Sequence, residues 1–208
     1  MLLEEQLLAE FAARIHAEVK DALAELEPGT PLPEDSALAE TVLGYLEEAG
    51  LVAEHDLCPH EDTGQRRSRV LAYALPDDSS RLELFTGIYL PPNGSEALPP
   101  AEVRRLTGWA ARFFEYAVKG DHGRFAGNDP ALRAAQRIRA EATRIEDVRV
   151  HVLTNAVVRD RAVAGISVEG REVEFSVWDL ERLHRATGEE VARERIEIDF
   201  RKLLGRPI

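Results

Sequence analysis

Two carboxylates in this chain have the types and settings of a metal-dependent phosphodiester site: Glu40 in a helical stretch and Glu83 in a strand. A helix glutamate and strand acids together can gather one or two Mg²⁺ ions, which polarise a phosphate and activate water. A lysine near the second strand acid ordinarily completes such a set. Here Phe85 stands two residues after Glu83, and no lysine occurs between Lys20 and Lys119. The simpler role for Glu83, and the one the residues favour, is a structural ion pair with Arg81 or with an arginine of the 66–69 segment.

Three further groups have chemical potential. His55, Cys58 and His60 form an H-x-x-C-x-H cluster of zinc-ligand types, for which Glu61 or His122 would be the distant fourth ligand. On a strand, Cys58 and His60 face one way and His55 the other, so ordinary strand and loop roles come first. Arg66, Arg67 and Arg69 are candidate phosphate contacts, against the plainer reading of a solvated rim. Trp109 and Trp178 read as core anchors rather than base-stacking platforms. Neither a G-x-x-x-x-G-K-[ST] loop, a G-x-G-x-x-G turn nor a G-x-S-x-G elbow occurs.

The elements that must position these groups follow from periodicity. Residues 2–26 form an amphipathic helix with Leu8, Phe11, Ile15, Val19, Leu23 and Leu26 on one face, and Glu10 placed to pair with Arg14. Pro28-Gly29 ends it. A second helix begins near Asp35 or Ser36 and runs to Ala49, with Gly50 as its C′ residue and Leu38, Val42, Leu46 and Ala49 as its buried stripe. Glu40 falls at the edge of that stripe. A strand over 51–58 precedes a polar segment.

Then comes the hairpin over 66–90, two apolar strands joined by Pro-Asp-Asp-Ser-Ser, with Glu83, Phe85 and Tyr89 on one face and Leu82, Leu84 and Ile88 on the other. Pro99-Pro100 opens a helix to Lys119, and Asn128-Asp129-Pro130 opens another to about Arg144. Strands are expected at 148–153, 162–168, 173–177 and 196–200, with a turn at Gly170-Arg171 and a short helix over 180–186. A mixed central β-sheet flanked by helices is the simplest α/β architecture for this order.

At 208 residues the chain can bury a full core. It carries a formal charge of −12, which argues against a general nucleic-acid coat. The charge is uneven: residues 1–65 hold 16 Asp and Glu against Arg14 and Lys20, whereas residues 101–150 hold ten Arg and Lys against seven acids. A locally basic surface on the middle helices is one consequence; arginines paired to nearby glutamates are the plainer one. Cys58 is the only cysteine, which suits a reducing cytoplasm. Acidic residues at Glu4 and Glu5 exclude a secretory start, and no apolar run reaches bilayer length.

Several phrases together resemble the amino-terminal domain of the AIPR (abortive infection phage resistance) family: ALAETVLGYLEEAGLV, RVLAYAL, LELFTGIYL, VHVLTNA and VWDLERLHRATGEEVARERIEIDF. The resemblance covers residues 35–208, and the phrases from Val177 to Leu183 and from Ile196 to Phe200 are its most specific parts. It implies a bacterial, cytoplasmic phage-defence protein in which this segment precedes a larger carboxy-terminal region, its expected partner alongside DNA or a second copy. With no apolar run of bilayer length, no membrane association is expected.

The resemblance also implies a restriction-endonuclease-like fold. In that pattern Glu40 matches the helix acid and Glu83 the second strand acid, which would be the metal residue. Leu71 replaces the first strand acid and Phe85 the lysine. The expected division is a packed helix (1–30), an endonuclease-like α/β domain (31–188) and the start of a following segment (189–208). The expected role is assembly or nucleic-acid contact without a certain cofactor. The alternative is a Mg²⁺-dependent nuclease using Glu40 and Glu83, with Asp77 or Asp78 as a third group.

Overall fold

The computed structural model describes residues 2–77, 80–92, 97–125 and 127–194. Helix α1 (Leu2–Glu25) buries Phe11, Ile15 and Val19 and leaves Glu4, Glu5, Glu10, Asp21 and Glu25 exposed, while the half-buried Glu18 accepts from the Tyr45 hydroxyl. Arg14 lies over the rings of Phe11 and Tyr45, and Glu10 accepts from Gln6, so the expected Glu10–Arg14 pair gives way to a cation–π contact. Helix α2 (Pro33–Glu48) starts two residues earlier than Asp35 because Pro33 pre-sets its first turn, while Leu32 ahead of it takes a left-handed φ of 51°. Ser36 is inside the helix and donates its hydroxyl to the Pro31 carbonyl at 2.8 Å.

The end of α2 explains a misplaced strand. Gly50 has φ +65°, its N–H bonds to the Glu47 carbonyl, and the Leu51 N–H bonds to that of Leu46. This is the Schellman arrangement. Leu51 and Val52 both spend their N–H groups on Leu46, so strand β1 begins only at Asp56 and runs to Asp62.

Strands β2 (Ser68–Ala74) and β3 (Arg81–Ile88) form the expected hairpin, with Ala72 opposite Phe85 and Ala74 opposite Glu83. Helix α3 (Pro100–Lys119) ends at Gly120 (φ +75°), and a 3₁₀ turn (His122–Phe125) follows. Helix α4 (Asp129–Ala140) is capped by Asn128, whose side chain accepts from the Ala131 N–H. Strand β4 (Asp147–Thr154) is buried along almost its whole length, as a central strand must be.

Strands β5 (Ile166–Val168) and β6 (Arg171–Trp178) are joined by Glu169 and Gly170, both at positive φ, the two-residue turn that matches strand twist. Helix α5 (Leu180–Glu194) runs longer than the expected 180–186, since Thr187 satisfies its hydroxyl on the Leu183 carbonyl without breaking the helix. The strand expected at 196–200 lies outside the described residues.

The sheet order is β1-β2-β3-β4-β6-β5. The first three strands are antiparallel neighbours, β3, β4 and β6 run parallel, and β5 closes one edge antiparallel. Leu82, Leu84, Val148, Val150 and Val173 pack with α3 and α4 on one face. Leu71, Phe85, Leu153 and Trp178 pack with α1, α2 and α5 on the other. The mixed α/β sheet between helices, entered from an amino-terminal helix, is as the sequence predicts. No helix among the described residues is long and apolar enough to cross a membrane.

Candidate functional site

Side-chain alternation places Glu83 and Phe85 of β3, His151 of β4 and Trp178 of β6 on the sheet face covered by α2 and α5. Phe85 is wholly buried and stacks on the His151 ring, with centroids 5.0 Å apart and planes 17° apart. The Trp178 indole N–H donates to His151 Nδ1 at 3.2 Å. An indole N–H can only donate, so the neutral His151 ring carries its proton on Nε2. That nitrogen lies 3.7 Å from the Glu83 carboxylate and makes no hydrogen bond. The nearest ring to the Glu83 carboxylate is thus a histidine across the β3–β4 pairing, with Arg149 and Arg81 supplying the positive charge around it.

The electrostatics follow from depth. Burial lowers the His151 pKa below its ordinary value, against the raising influence of Glu83; Arg149 and Arg182 push the same way as burial. For Glu83 burial acts upward, but the His151 ring and the charges of Arg149 and Arg81 outweigh it and hold the carboxyl low. We therefore read the pair as a neutral imidazole beside an ionised carboxylate. Around it, Arg149 pairs with Glu174 at 2.8 Å, and Arg182 lies 3.7 Å from the Trp178 ring centroid while donating to Ser176 and the Val177 carbonyl.

Glu40 does not join this group. It is exposed on α2 and lines a groove with Leu57, Pro59 and Asn128, whereas Glu83 lines a separate one with Leu51, Val52, Pro76 and Arg81. Leu71, at the other acid position of the pattern, is fully buried. Asp77 is almost fully exposed and bonds to Arg137, and Asp78 lies outside the described residues. No group of three or more His, Cys, Asp or Glu able to hold a metal occurs among the described residues. The residues present at Leu71, Glu83 and Phe85 do not fit a Mg²⁺ ion.

The arginine trio splits. Arg69 is buried, 2.5 Å from Asp35, and also donates to the Gly87 carbonyl at 2.7 Å. It ties α2 to the hairpin and faces the interior. Arg66 and Arg67 are exposed: Arg66 pairs with Glu115, and Arg67 lies over Trp109. In the H-x-x-C-x-H cluster, Cys58 is sealed in the α3/α4 core with its thiol pKa raised by burial. His60 packs against Phe113 and Phe125, while His55 sits on the opposite face near Phe85 and Glu47. Cys58 and His60 thus face one way and His55, just ahead of β1, the other, as expected.

Sequence reasoning missed His151 and Asp179. Asp179 is completely buried and accepts from the Val158 N–H and from Arg161 with Oδ2, and from the Arg182 N–H with Oδ1. It is the N-cap of α5 as well as the anchor of the loop after β4. The Trp-Asp dipeptide at a strand-to-helix junction was its only signal; for His151, alternation along β4 placed it beside Glu83 only once the parallel register was known.

A mixed-sheet α/β domain with helices on both faces is the class these elements define. The chain belongs to the family described as abortive infection phage resistance protein N-terminal domain, which it matches over residues 38–185, from the buried stripe of α2 into α5. No curated protein and no solved structure matches it.

Proposed function

We propose that this chain is the amino-terminal, endonuclease-like module of a bacterial phage-defence protein, with a degraded metal site, and that it acts in assembly or nucleic-acid contact rather than in cleavage. The observation that carries the reading is the packing of Phe85. The side chain at the position of the expected lysine is buried and stacked on His151, so the space where a scissile phosphate would meet a cation is filled by two rings. Leu71 supplies an isobutyl group where a second carboxylate belongs. The order α2-β1-β2-β3-α3-β4, with β3 and β4 parallel, supports an endonuclease-like origin, but fold alone carries no activity.

Incubating the chain with plasmid and Mg²⁺ or Mn²⁺ tests this. The expected result is intact plasmid with wild type and with Glu83→Ala alike. Cleavage by wild type that disappears in Glu83→Ala sinks the reading and restores the nuclease alternative.

A further inference from the structure

On the sheet face opposite the Glu83–His151 pair, α3 turns Arg104, Arg105, Gly108 and Arg112 outward. Arg67, from the β1–β2 loop, joins them. The guanidinium carbons of Arg67 and Arg105 lie 5.7 and 4.9 Å from the Trp109 ring centroid, and Arg112 donates to the Arg67 carbonyl at 3.1 Å. Arg105 pairs with Glu102. Arg67, Arg104 and Arg112 have no carboxylate partner among the described residues. In a chain of net charge −12, with 16 acids in its first 65 residues, uncompensated cations gathered on one helix and the loop beside it are a segregated positive surface.

Gly108 adds an independent observation. Glycine weakens a helix interior, and no packing calls for one here, since an added Cβ would meet nothing within 4 Å. Its effect is to keep the floor between Arg104, Arg105 and Arg112 low, so that a backbone can approach the helix surface. Among the described residues, the exposed large apolar side chains, Leu7, Leu51 and Ile166, all lie elsewhere. The patch therefore lacks the apolar centre of a protein interface but has what phosphate contact needs.

The geometry points to a sequence-independent docking site for a nucleic-acid phosphate backbone on α3, formed by Arg67, Arg104, Arg105 and Arg112 around Gly108. It deepens the nucleic-acid contact in the function proposed above but does not depend on whether the opposite face cleaves.

The test is fluorescence anisotropy of the whole chain with labelled duplex and single-stranded oligonucleotides, in EDTA so that cleavage plays no part. At about 150 mM salt, wild type binds within the range of non-specific complexes, about 1–100 μM, and more tightly as salt is lowered. Preference for duplex or for single strand identifies which form docks. The variant Arg67→Glu/Arg104→Glu/Arg112→Glu binds at least about tenfold more weakly. Its log–log salt slope is shallower by about 0.9 for each phosphate it no longer neutralises on duplex, or about 0.7 on single strand. Gly108→Gln leaves charge unchanged and has room in the fold; it weakens binding several-fold with an undiminished melting temperature.

The control Arg159→Glu/Arg185→Glu, with charge changes away from α3, weakens binding less than the α3 triple variant. Absence of wild-type binding to either form, an unaffected triple or Gly108→Gln variant, or an equal loss in the control overturns the proposal. So does sedimentation showing self-association that the triple variant abolishes while no nucleic acid binds, which would make an acidic protein surface the partner.

Discussion

Trp178 donates its indole N–H to His151 Nδ1 at 3.2 Å, and that bond decides which nitrogen of a buried histidine carries the proton. The folded pKa of His151 lies below its ordinary value of 6.5. As pH falls, the unfolded chain binds the proton first. The stability from keeping this ring neutral is full above about pH 6.5 and lost across the window down to the folded pKa. His60, also lowered by burial, acts in the same direction. Glu83, held low, adds a loss only at more acid pH, below its ordinary 4.5. Urea midpoints should therefore drop between about pH 7.5 and about pH 5.5, and drop less in His151→Leu. Equal drops would show that His151 is not a source. Trp178→Phe, which strands the ring acceptor, should cost about 1–3 kcal/mol at the higher pH.

Placing a lysine at Phe85, as the endonuclease pattern would have it, should not create a metal site. Phe85 is sealed from solvent, Glu83 is the carboxylate on its face of β3, and its ring is in the core with Leu71 and Leu153. Phe85→Lys should destabilise the fold by about 3–5 kcal/mol through poorer packing and an ill-paired buried charge. Chemical denaturation measures it; a cost under about 1 kcal/mol would mean that the lysine reaches water and the pocket is open.

Arg69 and Asp35 form a buried ion pair that links α2 to the hairpin from inside, and Asp35 also accepts the Tyr89 N–H at 2.7 Å. Asp35→Ala should cost about 3–5 kcal/mol, because it leaves the buried guanidinium without its close carboxylate, with Glu61 no nearer than 4.0 Å. Combining it with Arg69→Met should cost less than the two changes added together. Strict additivity would mean that the pair contributes nothing as a pair.

Gly87 is required by close approach rather than by φ. A Cβ there would run into the Leu153 carbonyl oxygen across the β3–β4 ladder. Gly87→Ala should lower stability by about 1–3 kcal/mol, whereas Gly44→Ala on α2, where an added Cβ meets open space, should raise it by up to about 1 kcal/mol. Thermal melts of the two variants should move in opposite directions.

How far the sequence could be read depended on whether a signal was local. Helix ends at Gly50, Gly120 and Pro100 and the cap at Asn128 were legible because each has a backbone reason within four residues. The 68–88 hairpin was legible from alternation. The start of β1 was not, since Leu51 and Val52 are apolar enough for a strand but are consumed by the end of α2. At the site, Glu83 was found by its oddity among apolar neighbours. His151 was not found, because its significance lies in a partner 68 positions away, brought beside it by parallel pairing of Glu83 with Arg149 and Phe85 with His151. Arg69 looked like its neighbours Arg66 and Arg67 in sequence, and only burial sets it apart.

Asp179 leaves no slack between sheet and helix. Its backbone ends β6, its side chain holds the first turn of α5, and the same carboxylate grips the loop that follows β4 through Val158 and Arg161. A junction fixed at three points cannot act as a hinge. Torque applied along α5 would be delivered to Trp178 and then to the His151 ring, so the described part of this helix and the central strands should reorient as one lever.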